Sequence, residues 1–387
     1  MKNLSQYFNP FNDDKVIANC GLFGMMSLEG NTCSGKDIIK AIANMRVRGN
    51  GLGGGFAAYG IYPDYADFYA MHIMFQNRPA KEQTELFLED SFSIVKKEEI
   101  PNRYSPGVSD PPMVWRYFVE PLKNVSPEYA DDYMVEKVMN INAKIDNSFV
   151  FSSGKNMGVF KGVGHPEDIG NFFCLEDYDA YIWVSHSRFP TNTQAWWGGA
   201  HPFSILDWTV VHNGEISSYG TNRNFLEMKG YFCTMHTDTE VMAYAVDLLI
   251  RKHELPIDIA AKIMASPLWT DIDQLPEAER LLDTILRQVY SPLLINGPFT
   301  IIIAHQGEMI GLGDRVRLRP LVAGIKGDMF YLSSEEAPIR LISPDLDLTW
   351  IPKGGEPIIG RLDTKEVIYK NEPVITGVEN NVINSVA

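Results

Sequence analysis

Cys20-Gly21-Leu22-Phe23-Gly24 is the stretch on which the reading turns. A cysteine heads a run of small and apolar residues, Cys20–Leu28, that reads as a strand. Such a cysteine makes chemical sense if it becomes the first residue of the mature chain. A terminal thiol lies beside its own free α-amine, whose unperturbed pKa is roughly 7.7–8.0. Nucleophile and base then come from one residue. Met1–Asn19 stand in front of it, so either they are removed or that chemistry is closed. The ordinary alternative is a structural thiol, because free cysteine is among the most buried residue types.

Outward from that strand, Ser34 can cap a helix over Gly35–Met45, where Ile38, Ile39, Ile42 and Met45 recur at helical spacing. Strands follow at Phe56–Tyr62 and Asp67–Phe75. From about Asn77 to Cys174 the character changes. Ala80–Lys97 and Glu128–Ile145 read as helices, the second with Ser126 as cap and Pro127 at its first position, and Pro111–Pro121 reads as extended. We expect this region to be a helical insertion. Strands resume at Tyr181–Ser187 and Trp208–His212, then helices at Thr239–Lys252, Ile257–Ala265 and Glu277–Tyr290. Four strands close the chain: Phe299–Ala304, Met309–Gly313, Leu321–Ile325 and Met329–Ser333. Strands at both ends with helices between predict two packed sheets flanked by helices, with a polar terminus frayed from about Asn380.

Composition narrows the function. Thirty-four basic residues against 49 acidic ones give 387 residues a formal charge of −15, a poor match for a nucleic-acid backbone. Cys20, Cys33, Cys174 and Cys233 form no C-x-x-C pair, which argues against a zinc ribbon, an iron–sulfur cluster or a disulfide framework. Leu293–Ala304 is too short to span a membrane and is interrupted by Gly297 and Pro298. Met1–Asn19 have no apolar stretch of the kind a secretory signal carries. A soluble, cytoplasmic chain is expected.

Two patterns mislead. Gly49-Asn50-Gly51-Leu52-Gly53-Gly54 matches the dinucleotide fingerprint in letters, but it follows a helix and precedes a strand, the reverse of the required context. A loop that brings backbone close to a ligand, with Arg48 at its edge, fits better. His186, His201, His212 and His236 share one stretch without the spacing of a metal site, so hydrogen-bonding roles are expected for them.

Three further motifs carry chemistry. His186-Ser187-Arg188-Phe189-Pro190-Thr191-Asn192-Thr193 leaves a strand and sets a guanidinium among hydroxyl and amide donors, suited to a carboxylate. His212-Asn213-Gly214-Glu215 ends another strand, where an amide side chain and a glycine N–H can stabilise an oxyanion. Thr237-Asp238-Thr239-Glu240 opens a helix, and Asp238 can accept from an ammonium. Each alone is equally an ion pair, a turn or a helix cap. Together they supply a nucleophile, a carboxylate clamp, an oxyanion site and an ammonium acceptor, which is a full set for a free α-amino acid attacked at a side-chain carbonyl.

This arrangement resembles the class II glutamine amidotransferases of the N-terminal-nucleophile hydrolase superfamily. Cys20–Gly24 resembles their nucleophile segment and Arg48-Gly49 the Arg-Gly of their glutamine loop. His186-x-Arg188 with Thr191, His212-Asn213-Gly214 and Asp238-Thr239-Glu240 match the remaining motifs in order. Gly297-Pro298-Phe299, Arg317–Leu321 and Ser333–Glu336 resemble later strand motifs. The likeness covers about Cys20–Leu362 less the insertion, and within the family it leans toward the stand-alone amidotransferase subunit of archaeal-type glutamate synthases and N-methylglutamate synthases. Val47 departs from it, standing where members often carry His.

The resemblance implies an α+β fold, a four-layer αββα sandwich. Its domains would be a leader over 1–19, a catalytic domain over 20–362 with an insertion at about 77–174, and a tail over 363–387. It implies hydrolysis of L-glutamine to glutamate and ammonia through a thiol ester on Cys20, with the oxyanion on Asn213 and Gly214. Arg188 and Thr191 would bind the carboxylate and Asp238 the ammonium, while Arg48 would steady the closing loop. A leader without a protease signature suggests self-cleavage between Asn19 and Cys20. No cofactor is expected in this chain. Ammonia would pass to a partner synthase subunit carrying FMN and iron–sulfur, or to another synthase, and a homo-oligomer is compatible. If Cys20 is never freed, a non-catalytic glutamine-binding regulatory subunit is the alternative.

Overall fold

The computed structural model describes residues 19–189 and 195–374. The expected role of Thr191, the leader before Asn19 and the frayed end from Asn380 lie outside the described residues. Two seven-stranded antiparallel sheets form the centre. The first runs Leu348–Trp350, Val322–Lys326, Met329–Ser333, Gly21–Ser27, Ile182–Ser187, Gly54–Tyr59, Met157–Gly162. The second runs Phe203–Ile205, Trp208–Gly214, Phe299–His305, Glu308–Gly313, Ile358–Arg361, Glu366–Tyr369, Glu372–Pro373.

Alternation along the strands makes the layers. In the second sheet, Val211, Ile302 and Ala304 join the core shared with the first sheet. Their neighbours Val210, Ile301 and Ile303 pack with Val241 and Ala245 of the Asp238–Val246 helix. Gly35–Ala43, Pro166–Phe172 and Glu336–Ile342 cover the outer face of the first sheet. The result is helix, sheet, sheet, helix, as the sequence predicts. Gly24 shows how close the sheets come: a Cβ there would sit 2.7 Å from Met309 Sδ. Tyr59 crosses the same gap, its hydroxyl 2.8 Å from the carbonyls of Asp207 and Ala304.

Local chemistry explains the ends that matter. Ser34 accepts from the Lys36 N–H and starts the Gly35–Ala43 helix. Thr237 does the same for the Asp238–Val246 helix through the Thr239 N–H. Ser126, by contrast, makes no side-chain cap, and a short 3-10 turn over Pro127–Tyr129 precedes the helix Ala130–Lys144.

The insertion is not helical throughout, and its bounds differ from those expected. The helix Arg78–Ser91 stops where Phe92–Glu99 pairs with Met113–Pro121. Its charged residues suggest a helix face in the sequence, but in the structure buried and more exposed positions largely alternate along a strand. With Tyr69–Phe75 and Ser148–Ser152 they form a separate four-stranded sheet. Met157–Gly162 already belongs to the first sheet, so the excursion lies between Tyr59 and Met157 rather than over 77–174. At the other end, Glu366–Tyr369 pairs with Ile358–Arg361, so the domain continues past Leu362 and the tail does not begin at 363.

Candidate active site

Strand register brings the motifs together. Gly21 lies opposite Ser187, which places Cys20 at the strand mouth beside Arg188. Ser187 in turn faces Gly54. In the second sheet Asn213 and Gly214 lie opposite Thr300 and Phe299. A cavity of about 440 Å³ opens at this edge, and Cys20, Arg188, Gly214 and Asp238 all line it, with Phe189, His201 and His212.

Cys20 is half-buried, and in the full-length chain its nitrogen is the amide of the Asn19–Cys20 peptide. The Phe189 N–H donates to its Sγ at 3.4 Å. Burial pushes the thiol pKa up and Asp238 adds to this, while the Phe189 bond, Arg188 and Arg319 pull the other way. Cys33 and Cys233 are also pushed up, to about 11 and about 12, chiefly by burial, and neither lines the cavity. The thiol pKa values are thus all raised; what marks out Cys20 is its place.

Arg188 is 4% exposed, and burial draws its pKa down while Cys20 and Asp238 hold it up. Its backbone N–H donates to Gly53 O at 3.0 Å. The glycine loop proves to serve this strand: a Cβ on Gly53 would lie 2.9 Å from Arg188 Cδ, and one on Gly49 2.3 Å from Ser187 Oγ. Arg48 stands behind the nucleophile instead of in the cavity lining. Its Nε donates to Cys20 O at 3.1 Å and its Nη1 to Glu335 Oε1 at 2.6 Å. As placed here it fixes the backbone of Cys20, a nearer role than steadying a loop.

Asp238 opens its helix with Oδ1 3.5 Å from His212 Nδ1. Burial raises its pKa, but His212 and the N–H groups of Thr239 and Ile216 outweigh that and hold the carboxyl below its ordinary value. It therefore presents a negative charge to the cavity. Asn213 is buried, and its Nδ2 has no hydrogen-bond partner. An unsatisfied buried amide donor is uncommon and needs a reason. Gly214 has φ +146°, and a Cβ there would fall 2.0 Å from Pro298 O, so only glycine fits.

Behind these groups His186 and His201 form a neutral stack. His186 and His201 have ring centroids 4.2 Å apart, and His186 Nε2 lies 3.0 Å from His212 O. Thr239 Oγ1 bridges His201 Nε2 at 3.2 Å and His212 Nδ1 at 3.3 Å. Burial takes His186 down to about 3 and His201 well below its usual value. Among the described residues no three His, Cys, Asp or Glu side chains are grouped to hold a metal.

Sequence reasoning missed a second pair. Lys161, 1% exposed, donates to Gly198 O at 3.0 Å and Pro202 O at 3.2 Å, holding the segment that carries His201. Glu240 accepts from the Thr234 and Met235 N–H groups at 3.0 Å each, holding the approach to Asp238. Burial raises Glu240 to about 7, with Lys161 among the groups opposing. The signal was a lone lysine inside the apolar run Met157–Gly162.

Comparison with known proteins places part of the chain in a known family. The model of class II glutamine amidotransferases matches residues 110–236, a stretch that contains Arg188, Asn213 and Gly214. An uncharacterized protein of Archaeoglobus fulgidus is 59% identical over 358 residues, covering 91% of this chain and 95% of that one. A Methanothermobacter thermautotrophicus protein, named provisionally as a glutamine amidotransferase, is 25% identical over 87% of this chain and 97% of its own. Among solved structures, the glutamine phosphoribosylpyrophosphate amidotransferase of B. subtilis aligns with TM-score 0.46 and 14% identity, over 91% of this chain and 49% of that one. No described helix is long and apolar enough to cross a membrane. Residues 110–236 of this chain thus match the class II glutamine amidotransferase domain.

Proposed function

We propose that this chain is the glutamine-hydrolysing subunit of a glutamate synthase-like amidotransferase, working in the cytoplasm. The observation that supports it is the convergence of Cys20, Arg188, Gly214 and Asp238 on one cavity, with the Asn213 amide buried and unspent beside them. Arg188 and Asp238 bring a cation and an anion to this cavity, which suits the carboxylate and ammonium of a free amino acid.

In this reading the freed α-amine of Cys20 takes the thiol proton as Sγ adds to the glutamine side-chain carbon. Negative charge on the former carbonyl oxygen meets Asn213 Nδ2 and the Gly214 N–H. The amine returns the proton to the leaving nitrogen, ammonia departs, and a thiol ester remains. Water then releases glutamate and restores the thiol. Arg188 binds the substrate carboxylate, Asp238 its ammonium, and Arg48 keeps Cys20 aligned through its carbonyl. Ammonia near pH 7 is largely protonated and no longer nucleophilic, so a sheltered path to a partner synthase carrying FMN and iron–sulfur completes the reaction.

The test combines three readings on the purified chain: intact mass, glutamate release, and labelling by a glutamine-like diazo-ketone. Cys20→Ala should abolish release and labelling, while Cys33→Ala, Cys174→Ala and Cys233→Ala keep both. The synthase encoded beside the gene should stimulate release. Activity surviving Cys20→Ala would overturn the mechanism, and full activity without stimulation would remove the partner.

A further inference from the structure

We propose that Arg319 reads the side chain of Asn19 and thereby sets the Asn19–Cys20 peptide for cleavage. This rests on the reading of Cys20 as a nucleophile whose amine must be freed. Arg319 Nη1 donates to Asn19 Oδ1 at 2.5 Å, across 300 residues of sequence. A charged donor on a neutral amide oxygen is a strong, directional contact. On the Cys20 side of that bond, Arg48 Nε donates at 3.1 Å to the Cys20 carbonyl oxygen, in the next peptide along. The Phe189 N–H meets the Cys20 sulfur at 3.4 Å. The bond to be broken is thus gripped on both sides, with the attacking atom held between them.

The segment that delivers Arg319 is built for the purpose. Asp314, 2% exposed, accepts from the N–H groups of Phe299, Val316 and Leu318 at 3.2, 3.1 and 2.9 Å. Those bonds fold the turn that carries Arg317 at φ 54°. Thr300, opposite Asn213 in the sheet, donates its hydroxyl to Arg319 O at 3.1 Å. Arg319 is therefore tied through its backbone to the strand pair that carries the oxyanion site. Its Nε is buried and has no partner, so the fork is only partly used by the leader.

The step balances with water as the one co-reactant. Cys20 Sγ adds to the Asn19 carbonyl carbon, and its proton passes to the Cys20 nitrogen as the C–N bond breaks. Water hydrolyses the resulting thiol ester, leaving a carboxylate on Asn19 and a thiol beside a free amine on Cys20. Arg319 is a positioning residue here, since it holds the residue whose carbonyl is attacked.

The experiment follows leader loss by intact mass, in a time course after cell-free synthesis of the full chain. Asn19→Ala changes a residue that the mature protein no longer carries, so it leaves the mature fold untouched. Asn19→Ala and Arg319→Met should each slow cleavage roughly tenfold or more, the scale of a hydrogen bond to a charged group. The double variant should be no slower than Arg319→Met alone, because Asn19→Ala removes only a contact that Arg319→Met has already removed. Cleavage of either single variant at the wild-type rate, or slowing that multiplies in the double variant, overturns the proposal. A wild-type chain that keeps its leader, while a chain begun at Cys20 hydrolyses glutamine, overturns it alone. If the chain begun at Cys20 is also inactive, the proposed function falls with it.

Discussion

Glu240→Gln is the substitution whose effect can be worked out furthest. Its carboxylate is 1% exposed and pushed up to about 7 by burial, against hydrogen bonds from Met235, Thr234 and Tyr244 and the charge of Lys161. In an unfolded chain the same group titrates near 4.3. Between those two values the folded chain holds a proton that the unfolded chain has lost. Stability from this group is therefore full below about pH 4 and falls as pH rises through 7. A gap of that size corresponds to about 3 to 4 kcal/mol. Glutamine has no proton to lose, so the variant escapes this fall. The amide gives up one acceptor for Thr234 or Met235, but that offset is the same at every pH. With an unfolding entropy of about 2 cal/mol/K per residue, 3 kcal/mol in a chain of this length is about 4 °C. Thermal melts by tryptophan fluorescence should show the variant gaining about 4 °C on the wild type between pH 5 and pH 8. Melting curves that run parallel across that range would refute the buried-carboxylate account.

Asn213→Ala should lower kcat for glutamine by roughly a hundredfold or more with little change in KM, and steady-state kinetics at saturating glutamine reads it directly. Gly214→Ala should lose activity as well, and its melting temperature should also drop, because the φ of +146° and the contact at 2.0 Å with Pro298 O leave no room for a Cβ. Asp238→Asn should raise KM by roughly thirtyfold or more, the lower end of what an unpaired buried charge costs. Unchanged glutamine kinetics there would place the ammonium site elsewhere.

The layered fold was legible because short, nearly continuous apolar runs such as Phe299–Ala304 and capped helices such as that after Ser34 state their own geometry. The insertion was less so. Phe92–Glu99 carries four charged residues in succession, Lys96 to Glu99, a pattern that also suits a helix, and only its partner Met113–Pro121 decides between them. The nucleophile, the Asn-Gly pair, Arg188 and Asp238 were named from motifs, and they line or border one cavity. Arg48 was named too, but its grip on the carbonyl of Cys20 is a fact of tertiary contact. So are Lys161 and Glu240, whose partners are backbone groups of distant loops. Sequence carries the identity of such residues and is silent about what they hold.

The charges around Cys20 also explain why freeing its amine would matter so much. Arg188 and Arg319 lower the thiol pKa and Asp238 raises it. Burial dominates these opposing fields and keeps the thiol protonated near neutral pH. A bound zwitterion would mute the fields further, its carboxylate facing Arg188 and its ammonium facing Asp238. Activation by the surrounding charges is therefore at its weakest when substrate is in place. A proton acceptor attached to the same residue escapes that cancellation, because its distance from the sulfur does not depend on what fills the cavity. On this argument the Asn19–Cys20 peptide bond is the switch of the site. Arg319 and Arg48, which hold its two sides, belong to the reaction as much as the residues that meet glutamine.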